Sequence, residues 1–225
     1  MPLFIVSSWK ETGTGAKAQE WVKSLAKEIA LITQEKEIIV LPPFTALSAT
    51  SEEIKQQNLP IKIGAQDISR FEEGKHTGEV SASMVAEFAS YVMLGHSERR
   101  SQLGETDEIV AEKIKLAKKY NLTPIVCVSE IDQAAALKRL INDFTDLIAY
   151  EPVFAIGTGK PDTPQNANEV AEKIKTILPG AYVLYGGSVD GSNAKGFTQQ
   201  KNLSGVLVGN RSLDPNFFLE ILRNA

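Results

Sequence analysis

Five short polar segments, each at the end of an apolar run, contain the residues of this chain that are best suited to chemistry. These segments are Ser7-Ser8-Trp9-Lys10, Gly95-His96-Ser97-Glu98-Arg99-Arg100, Tyr150-Glu151-Pro152, Gly186-Gly187-Ser188 and Gly209-Asn210-Arg211. They supply a cation, an imidazole, a carboxylate and two glycine-containing turns, and glycine lets backbone N–H groups approach an anion closely. Because an imidazole and a carboxylate can exchange protons with a substrate, the set indicates acid–base chemistry on an anion, provided that the segments meet.

The elements that must bring these segments together are eight short, nearly continuous apolar runs. Such runs are typical of parallel strands that are buried on both faces. The predicted strands are Leu3–Ser7, Ile38–Leu41, Ile61–Ala65, Tyr91–Leu94, Ile125–Val128, Leu147–Tyr150, Tyr182–Tyr185 and Gly205–Val208. Amphipathic patterns predict helices between them, for example over Ala16–Ile32 and Glu105–Tyr120.

Strand and helix patterns alternate along the whole chain without a polar linker. We therefore expect one α/β domain over residues 1–225, a compact single-domain (β/α)8 barrel. In such a barrel the carboxyl ends of all strands lie at one face, which is where active sites are found. The 225 residues are fewer than the ~250 that are typical of this fold, so some elements should be short.

The composition excludes several classes of protein. The chain has 24 Lys and Arg residues, 28 Asp and Glu residues, a formal net charge of -4 and an apolar share of 43%, which is ordinary for a globular protein. Its mild acidity argues against a nucleic-acid partner, and no apolar stretch approaches the ~18 residues that a membrane span needs. The one cysteine, Cys127, cannot form an internal disulfide or a cysteine-rich zinc site, and we interpret it as a small buried residue. We expect a cytoplasmic protein that holds no metal.

Two glycine motifs could be mistaken for nucleotide sites. Gly13-Thr14-Gly15-Ala16-Lys17-Ala18 follows the first predicted strand, as does the dinucleotide fingerprint of an open, doubly wound sheet. The next strand, however, ends Val40-Leu41-Pro42-Pro43, without the acidic residue that this site requires. Ile156-Gly157-Thr158-Gly159-Lys160-Pro161 lacks the spacing and the Ser or Thr of a Walker loop. We therefore expect no cofactor, and we favour the barrel over the open sheet.

The polar segments, taken in order, resemble the triosephosphate isomerase family. The resemblance rests on Trp9-Lys10, Thr77-Gly78-Glu79-Val80-Ser81, Leu94-Gly95-His96-Ser97-Glu98-Arg99-Arg100, Tyr150-Glu151-Pro152-Val153-Phe154-Ala155-Ile156-Gly157-Thr158-Gly159-Lys160, Tyr185-Gly186-Gly187-Ser188-Val189 and Leu207-Val208-Gly209. Any one of these is weak alone, but the set spans nearly the whole chain, in order, each after the appropriate strand. It implies a barrel that interconverts dihydroxyacetone phosphate and D-glyceraldehyde 3-phosphate, a step of glycolysis and gluconeogenesis.

The resemblance also implies roles for single residues. Glu151 would be the general base that moves a proton between neighbouring carbons through an enediolate, and His96 the neutral electrophile that this family uses to polarise the carbonyl. Lys10 would stabilise the negative charge that develops. Glu98 would hold Lys10 or a neighbouring group in place, with a simple surface ion pair as the alternative interpretation. The residues that would bind the small phosphorylated substrate are Ser8, Lys10, Gly157, Ser188, Gly209 and Asn210.

The segment that follows Glu151 resembles the family's lid. It comprises Pro152, Val153, Phe154, Ala155, Ile156, Gly157, Thr158, Gly159 and Lys160. The two glycines would make the segment mobile, and the side chains of Val153, Phe154 and Ile156 would cover the substrate. Binding of the non-reacting phosphate would help to drive closure.

Three departures from the family pattern bear on these expectations. Ser8 stands where the family has Asn, so a hydrogen bond to substrate could become longer or water-mediated. Asn210 stands where the family has a second glycine; asparagine tolerates left-handed conformations and keeps its backbone N–H, so the phosphate cradle should survive. The span Ser129–Asp146 leaves room for only a short fifth helix, which resembles archaeal members that tend to form tetramers.

The long connection Gln66–Val80 is the best indication of assembly, because a connection of this length in a compact domain usually has a function. In the family this loop, whose tip here would include Lys75-His76-Thr77, inserts beside the active site of a partner subunit. The resemblance therefore implies a homo-oligomer, with a dimer expected through this loop and a tetramer possible. A surface loop without such a role is the alternative interpretation.

Two other functions stay open from the residues alone. One is a different sugar-phosphate isomerase or epimerase on the same barrel, which a panel of substrates of different carbon number would separate. The other is a degenerate barrel that binds phosphate but acts as an interaction protein, an alternative suggested by Ser8 and Asn210. Triose-phosphate isomerisation is the hypothesis that uses His96, Glu151 and the cradle together.

Overall fold

The computed structural model describes residues 2–32 and 35–225. Its strands are parallel and follow one another in chain order around a closed barrel. The strands are β1 (Leu3–Ser8), β2 (Lys36–Leu41), β3 (Ile61–Ala65), β4 (Tyr91–Leu94), β5 (Thr123–Val128), β6 (Leu147–Tyr150), β7 (Tyr182–Tyr185) and β8 (Gly205–Val208). Because β8 pairs with β1, with Leu207 opposite Val6, the sheet has no open edge. The (β/α)8 prediction is confirmed, and the open doubly wound sheet is excluded.

Helices connect successive strands and cover the outside of the barrel. They are α1 (Gly15–Leu25), α2 (Ile29–Ile32), α3 (Phe44–Gln56), α4 (Ala82–Ala86), α5 (Ser97–Leu103), α6 (Asp107–Lys119), α7 (Ile131–Leu140), α8 (Pro164–Ile177), α9 (Ala194–Thr198) and α10 (Pro215–Asn224). Two 3₁₀ turns, Val153–Ala155 and Asn210–Leu213, follow β6 and β8. Within residues 2–32 and 35–225, no helix is long and apolar enough to cross a membrane.

The helix predicted over Ala16–Ile32 is wrong in one respect, because it is divided into α1 and α2. After Leu25 the backbone N–H groups bond three residues back instead of four, as Ala26 does to the carbonyl oxygen of Lys23. This tighter winding is of the 3₁₀ type. It still buries Leu25 and Ile29 on the barrel side. Apolar spacing alone therefore could not reveal the break.

The helix predicted over Glu105–Tyr120 begins two residues later, at Asp107. Thr106 caps it, since its side-chain oxygen accepts a hydrogen bond from the backbone N–H of Ile109. Glu105 instead lies buried before the helix, with its carboxylate bonded to Lys113 and to Arg99. The apparent first residue of the helix is thus part of an internal ion-pair network.

The fifth helix of the barrel, α7, is short, as predicted. It has 10 residues, whereas α6 has 13 and α8 has 14. The side chain of Gln133 fixes its start by accepting a hydrogen bond of 2.6 Å from the backbone N–H of Ser129. Ile141, in extended conformation, ends it. The trimmed length falls on the outside of the barrel and leaves the strand ends intact.

The hydrophobic core has two layers. One lies between the strands and the surrounding helices, and the other fills the barrel interior. The interior layer consists of Phe4, Val6, Ile39, Leu41, Tyr91, Met93, Ile125, Cys127, Leu147, Ala149, Leu184 and Leu207. Gly205 allows the barrel to close: its φ is +154°, and a Cβ there would lie 1.9 Å from the carbonyl oxygen of Phe4. A packed interior and a closed sheet give the strand ends a rigid base.

Candidate active site

The polar segments meet at the carboxyl ends of the strands, where they line a cavity of about 770 Å³. Eight residues that were predicted for catalysis or substrate binding form part of its wall. They are Ser8, Lys10, His96, Glu151, Gly157, Ser188, Gly209 and Asn210. Glu98 lies beside it, in the wall of a smaller cavity of about 280 Å³ that Lys10 and His96 also line.

Glu151 follows β6 directly and is only 2% exposed to solvent. Its Oε1 atom lies 3.5 Å from Nε2 of His96. Burial raises the pKa of Glu151, while His96, a hydrogen bond from the thiol of Cys127 and the charge of Lys10 act in the opposite direction. A carboxylate whose pKa is raised is a stronger base than one in water. The neighbouring Gly186 is required here, because a Cβ at that position would lie 2.8 Å from Cγ of Glu151.

His96 is the N-cap residue of α5, and its own ring serves as the cap. The backbone N–H of Glu98 donates a hydrogen bond of 3.2 Å to Nδ1 of His96. Because Nδ1 accepts, a neutral ring carries its proton on Nε2, the nitrogen nearer to Glu151. The imidazole is 4% exposed. The geometry therefore presents an N–H donor to the same cavity that holds the carboxylate.

Lys10 stands at the end of β1 with a left-handed backbone, φ +52°. Its ammonium group forms an ion pair with Glu98, as the sequence suggested for this pair. Gln66 holds the backbone of this residue, since its side-chain amide donates to the carbonyl oxygens of Lys10, at 2.9 Å, and of Leu41, at 2.8 Å. Two independent contacts thus fix the position of the lysine.

Cys127, interpreted from sequence as a small buried residue, is indeed buried on β5 but also contacts Glu151. Burial and the nearby carboxylate raise the pKa of this thiol well above its usual value, so it stays protonated and donates to the carboxylate. The thiol is therefore part of the environment of Glu151 and is not a nucleophile.

The residues predicted to form an anion cradle, Gly157, Ser188, Gly209 and Asn210, all line the cavity. Ser188 has a left-handed backbone, φ +50°. Asn210 does not have a left-handed backbone and begins the 3₁₀ turn Asn210–Leu213. The tolerance of asparagine for left-handed backbone is therefore not needed at position 210.

The lid segment is bonded to the loop after β7. The backbone N–H of Gly159 donates to Oγ of Ser188 at 3.1 Å, and that hydroxyl donates to the carbonyl oxygen of Ala155 at 2.6 Å. Just beyond the lid, the backbone N–H of Asp162 donates to the hydroxyl of Tyr185 at 2.7 Å. The hydroxyl of Ser188 thus holds the lid, so only its backbone N–H remains for an anion.

Of the three apolar lid residues that were expected to cover the substrate, only Ile156 lines the cavity. Val153 is 64% exposed and Phe154 is 61% exposed. The 3₁₀ turn Val153–Ala155 carries both on the outer side while Ala155 is buried. Fewer apolar side chains of the lid therefore face the cavity than the sequence predicted.

Two buried polar atoms of the cavity have no hydrogen-bond partner among the described residues. They are Oγ of Ser8 and Oε2 of Glu151. A buried polar group without a partner costs free energy, about 1–3 kcal/mol when it is neutral. Both atoms belong to residues that line the cavity, so a polar ligand in the cavity could bond to them.

Sequence reasoning missed three residues that position the site: Gln66, Cys127 and Tyr185. Gln66 stands at the end of β3, where the rule that selected the other strand ends also applies. Cys127 shares the inward face of β5 with Ile125, which the two-residue period of a strand reveals. Tyr185 immediately precedes the glycine pair of β7, but its contact with Asp162 has no local sequence signal.

Comparison with known proteins gives one consistent result. The family model described as triosephosphate isomerase matches residues 3–225. A triosephosphate isomerase of Gluconacetobacter diazotrophicus is 38% identical over 246 aligned residues, covering 100% of this chain and 99% of that protein. Those of Dictyoglomus turgidum and Nitrosococcus oceani are 36% and 39% identical, each covering 98% of both chains. The aligned lengths exceed the 225 residues of this chain, so these relatives carry residues that it lacks.

Proposed function

The chain belongs to the triosephosphate isomerase family, and we propose how its own residues carry out the isomerisation. The reaction interconverts dihydroxyacetone phosphate and D-glyceraldehyde 3-phosphate by moving a proton between two neighbouring carbons. It requires a base, a group that polarises the carbonyl, a site for the phosphate and protection of the intermediate from water. Each requirement has a candidate in the cavity.

The observation that carries the proposal is the pairing of a buried carboxylate with an N–H donor. Glu151 takes a proton from the carbon beside the carbonyl, and the electron pair moves onto the carbonyl oxygen. The proton on Nε2 of His96, 3.5 Å from Oε1 of Glu151, stabilises that oxygen in the enediolate. The hydroxyl proton of the first carbon then moves to the charged oxygen, by way of Nε2 of His96, so that the negative charge shifts to the other oxygen of the enediolate. Glu151, now a carboxylic acid, gives its proton to the neighbouring carbon as the new carbonyl forms at the first, and it is again a carboxylate. Burial of Glu151 supports this role because it strengthens the base.

Lys10 and the cradle bind the charged part of the substrate. Lys10 lies near the cradle, since a Cβ added to Gly209 would lie 3.9 Å from its Cε atom. Its charge also acts on the Glu151 carboxylate, whose pKa it lowers against the effect of burial. The cation can therefore stabilise both the phosphate and the enediolate. Backbone N–H groups at Gly157, Ser188, Gly209 and Asn210 are our candidates for the phosphate oxygens.

The lid protects the intermediate from water. Its hydrogen bonds to Ser188 and its position over the cavity, with Ile156 inward, support this role. Exclusion of water strengthens the electrostatic interactions inside and prevents loss of the reactive enediolate. Ser8, whose buried hydroxyl lacks a protein partner, is our candidate for an additional hydrogen bond to the substrate.

Glu151→Gln tests the proposal most directly. With glyceraldehyde 3-phosphate as substrate, we expect kcat to fall about 10²- to 10⁴-fold, the range typical for loss of a general base. Glu87→Gln, at an exposed glutamate after α4, is the matched control and should retain wild-type turnover. Turnover by Glu151→Gln equal to the control would overturn the role of Glu151. Failure of the wild-type protein to convert triose phosphates, or faster conversion of longer sugar phosphates, would overturn the function.

A homodimer through the Gln66–Val80 loop is the second part of the proposal. Phe71 in this loop is 43% exposed and stacks on His76. Next to the active site, Phe44 and Leu103 are 40% and 66% exposed, and both line the smaller cavity beside Lys10. Insertion of a partner's loop at this cavity would cover these apolar side chains.

Leu103→Glu should disrupt such a dimer, since it places a charge in the expected contact. We expect a monomer by light scattering. We also expect a lower kcat, because Leu103 is the last residue of α5 and His96 caps the first turn of the same helix. Leu31→Glu, at a position that is 81% exposed on α2, should leave the mass unchanged. A wild-type monomer would contradict the proposal, and a mass of four chains would extend it to a tetramer.

We also propose that the protein works in the cytoplasm. Its one cysteine, Cys127, is buried and free, and a free thiol fits a reducing compartment. Cell fractionation followed by isomerase assay of each fraction tests the location.

A further inference from the structure

The active-site cavity extends past the proposed substrate-binding residues. The 3₁₀ turn that begins at Asn210 carries the wall onward along Arg211 and Leu213, and the start of α10 adds Pro215 and Phe217. A triose phosphate has only about ten heavy atoms. It therefore occupies less than about 300 Å³, the lower limit of ordinary ligand pockets, and leaves more than half of this cavity of about 770 Å³ unfilled. The remaining space is a mouth whose wall contains a cation, Arg211.

The guanidinium of Arg211 is held beside the mouth by an aromatic ring. Its Cζ atom lies 5.1 Å from the centroid of the Phe217 ring, a cation–π contact. Arg211 is exposed to solvent. Among residues 2–32 and 35–225 it has no ion pair within 4 Å and no side-chain hydrogen bond. The planar face of the guanidinium is therefore occupied, while its N–H groups remain available.

The acids near Arg211 are engaged elsewhere. One oxygen of Asp190 accepts hydrogen bonds from the backbone N–H and hydroxyl of Ser192, at 2.9 Å and 2.6 Å, and from the backbone N–H of Asn193 at 3.2 Å. Asp214 caps α10 by accepting from the backbone N–H of Asn216 at 2.8 Å. Burial raises the pKa of Asp190, but its hydrogen bonds and the charge of Arg211 outweigh it. The guanidinium is thus near this carboxylate, but neither acid forms an ion pair with it among the described residues.

The other cation of the cavity, Lys10, is already paired with Glu98. Glu98 therefore offsets part of the attraction that Lys10 exerts on an anion still in solvent, although the ammonium group keeps N–H donors for a bound phosphate. Within the part of the wall that the structure describes, Arg211 is the cation without such a partner. Arg211 is exposed to solvent and directly follows Asn210 of the proposed cradle, so a phosphate that approaches the cradle passes near the guanidinium.

We propose that Arg211 forms an anion subsite at the mouth of the cavity that captures the phosphate of the incoming substrate. The inference rests on the proposed function, because it assigns the ligand as the phosphorylated triose. A guanidinium suits this task since its rigid fork can bind two phosphate oxygens at once. A cation at the entrance of a cleft also raises the rate of encounter with a charged ligand. Arg211 is a binding residue in this scheme and takes no part in proton transfer.

Arg211→Gln is the test, with Arg211→Lys and Lys201→Gln as companions. Lys201 is an exposed lysine just before β8, at the opposite end of the barrel, so its substitution removes the same charge away from the cavity. At low ionic strength we expect Arg211→Gln to lower kcat/KM about tenfold, with kcat nearly unchanged. Arg211→Lys should lie between, because it keeps the charge but loses the fork. Lys201→Gln should match the wild type.

Two further measurements distinguish capture from a general loss of structure. The inhibition constant of inorganic phosphate should rise in Arg211→Gln by a factor similar to that of KM. The dependence of log(kcat/KM) on ionic strength should become shallower than in the wild type and in Lys201→Gln. If Arg211→Gln and Lys201→Gln agree in all three readouts, the subsite is overturned.

Failure of this inference and failure of the proposed function give different results. Binding of inorganic phosphate, followed by calorimetry, does not require turnover. Phosphate binding that weakens in Arg211→Gln while the wild-type protein shows no isomerase activity would support the subsite and overturn the function. Normal isomerase activity of the wild type, together with a phosphate affinity that is unchanged in Arg211→Gln, would support the function and overturn the subsite.

Discussion

At the scale of single residues, the most consequential feature is the removal of the Glu151 carboxylate from water. Burial raises its pKa above the usual value of 4.5. Since only the ionised form can accept a proton, kcat/KM should fall as the pH drops through that raised pKa. We therefore expect the acid limb of the pH profile to lie above the range of an exposed glutamate.

The second pKa of a phosphate ester is near 6, so the acid limb of the pH profile could come from the substrate or from Glu151. A variant that changes only the pKa of Glu151 would distinguish the two. Cys127 supplies one, because its thiol donates a hydrogen bond that lowers the pKa of Glu151. Cys127→Ala removes this donor and should move the limb to higher pH, whereas Cys127→Ser keeps a donor and should move it less. A limb that is identical in the wild type and both variants would assign it to the substrate.

Ser8 tests how much the site has adapted to a departure from the family pattern. Its buried hydroxyl has no partner among the described residues. Ser8→Asn provides a longer amide at the same strand end, and we expect kcat/KM to stay the same or rise by up to about tenfold, as one neutral hydrogen bond allows. Steady-state kinetics on both triose phosphates provides the measurement. A large loss would show that the surrounding packing is built around serine.

The residue types of the site were predictable because chemistry restricts them. A carboxylate, an imidazole and a lysine at strand ends could be located from the order of apolar runs alone. Their neighbours could not, since Gln66, Cys127 and Tyr185 act through contacts between segments far apart in the chain. Local patterns carry no information about such contacts.

At the scale of elements, the lid and the loop after β7 form one unit. The hydroxyl of Tyr185 accepts a hydrogen bond from the backbone N–H of Asp162, directly after the lid. Tyr185→Phe removes that acceptor and should lower kcat/KM about tenfold by reducing the population of the closed lid, with little change in unfolding free energy.

Tyr182→Phe is the matched control for this prediction. Tyr182 lies on the same strand, three residues earlier, with its ring against Phe4. Tyr182→Phe also removes a phenol oxygen, but it should keep the wild-type kcat/KM. If the two variants have equal kcat/KM, the hydrogen bond to Asp162 does not govern the lid.

The elements were predictable to different degrees. Each strand was located within two residues, because a fully buried parallel strand leaves a continuous apolar run. The division between α1 and α2 was missed because the 3₁₀-type turn after Leu25 keeps Ile29 on the same side. A pattern of burial records which side chains face the barrel, and it does not record how the backbone winds between them.

At the scale of the whole molecule, a buried ion network connects the active-site face with the loop proposed for assembly. Lys113 on α6 donates to both oxygens of Asp67, at 2.7 Å and 2.8 Å, and also binds Glu105. Arg99 on α5 contacts Asp67 at 2.7 Å and Glu105 at 3.3 Å. Asp67 immediately follows Gln66, which holds Lys10. The network unites segments distant in sequence, so composition and local pattern gave no sign of it.

The pKa values within the network indicate how it responds to pH. Burial raises the pKa of Asp67 to about 6, against the lowering effects of Lys113 and Arg99. For Glu105 the net effect is the opposite: burial raises the pKa, but the hydrogen bonds and charges of Lys113 and Arg99 together outweigh it and leave a lowered value. Near neutral pH both carboxylates are ionised, and the ammonium group of Lys113 stabilises their two buried negative charges.

Lys113→Met should therefore destabilise the protein at pH 8, by about 3–5 kcal/mol, since it leaves two buried carboxylates with only Arg99 between them. It also removes an influence that lowers the pKa of Asp67, so the folded-state pKa should rise above 6. Between the unfolded value of 3.8 and that raised value, the folded protein binds more protons than the unfolded chain. The unfolding free energy then falls as pH rises, and the deficit of Lys113→Met should be smaller at pH 5 than at pH 8.

Urea unfolding at both pH values measures this difference, with Lys115→Met as control. Lys115 is exposed on the same helix, two residues away, and its substitution should change the unfolding free energy by less than about 0.5 kcal/mol at either pH. A deficit of Lys113→Met that is independent of pH would mean that Asp67 does not take up the proton. Asp67 is the second residue of the Gln66–Val80 loop, so the network can also position that loop. If Lys113→Met recovers stability at pH 5 but remains a smaller assembly than the wild type by light scattering, the effect of the network on the loop is separate from its effect on the stability of the fold.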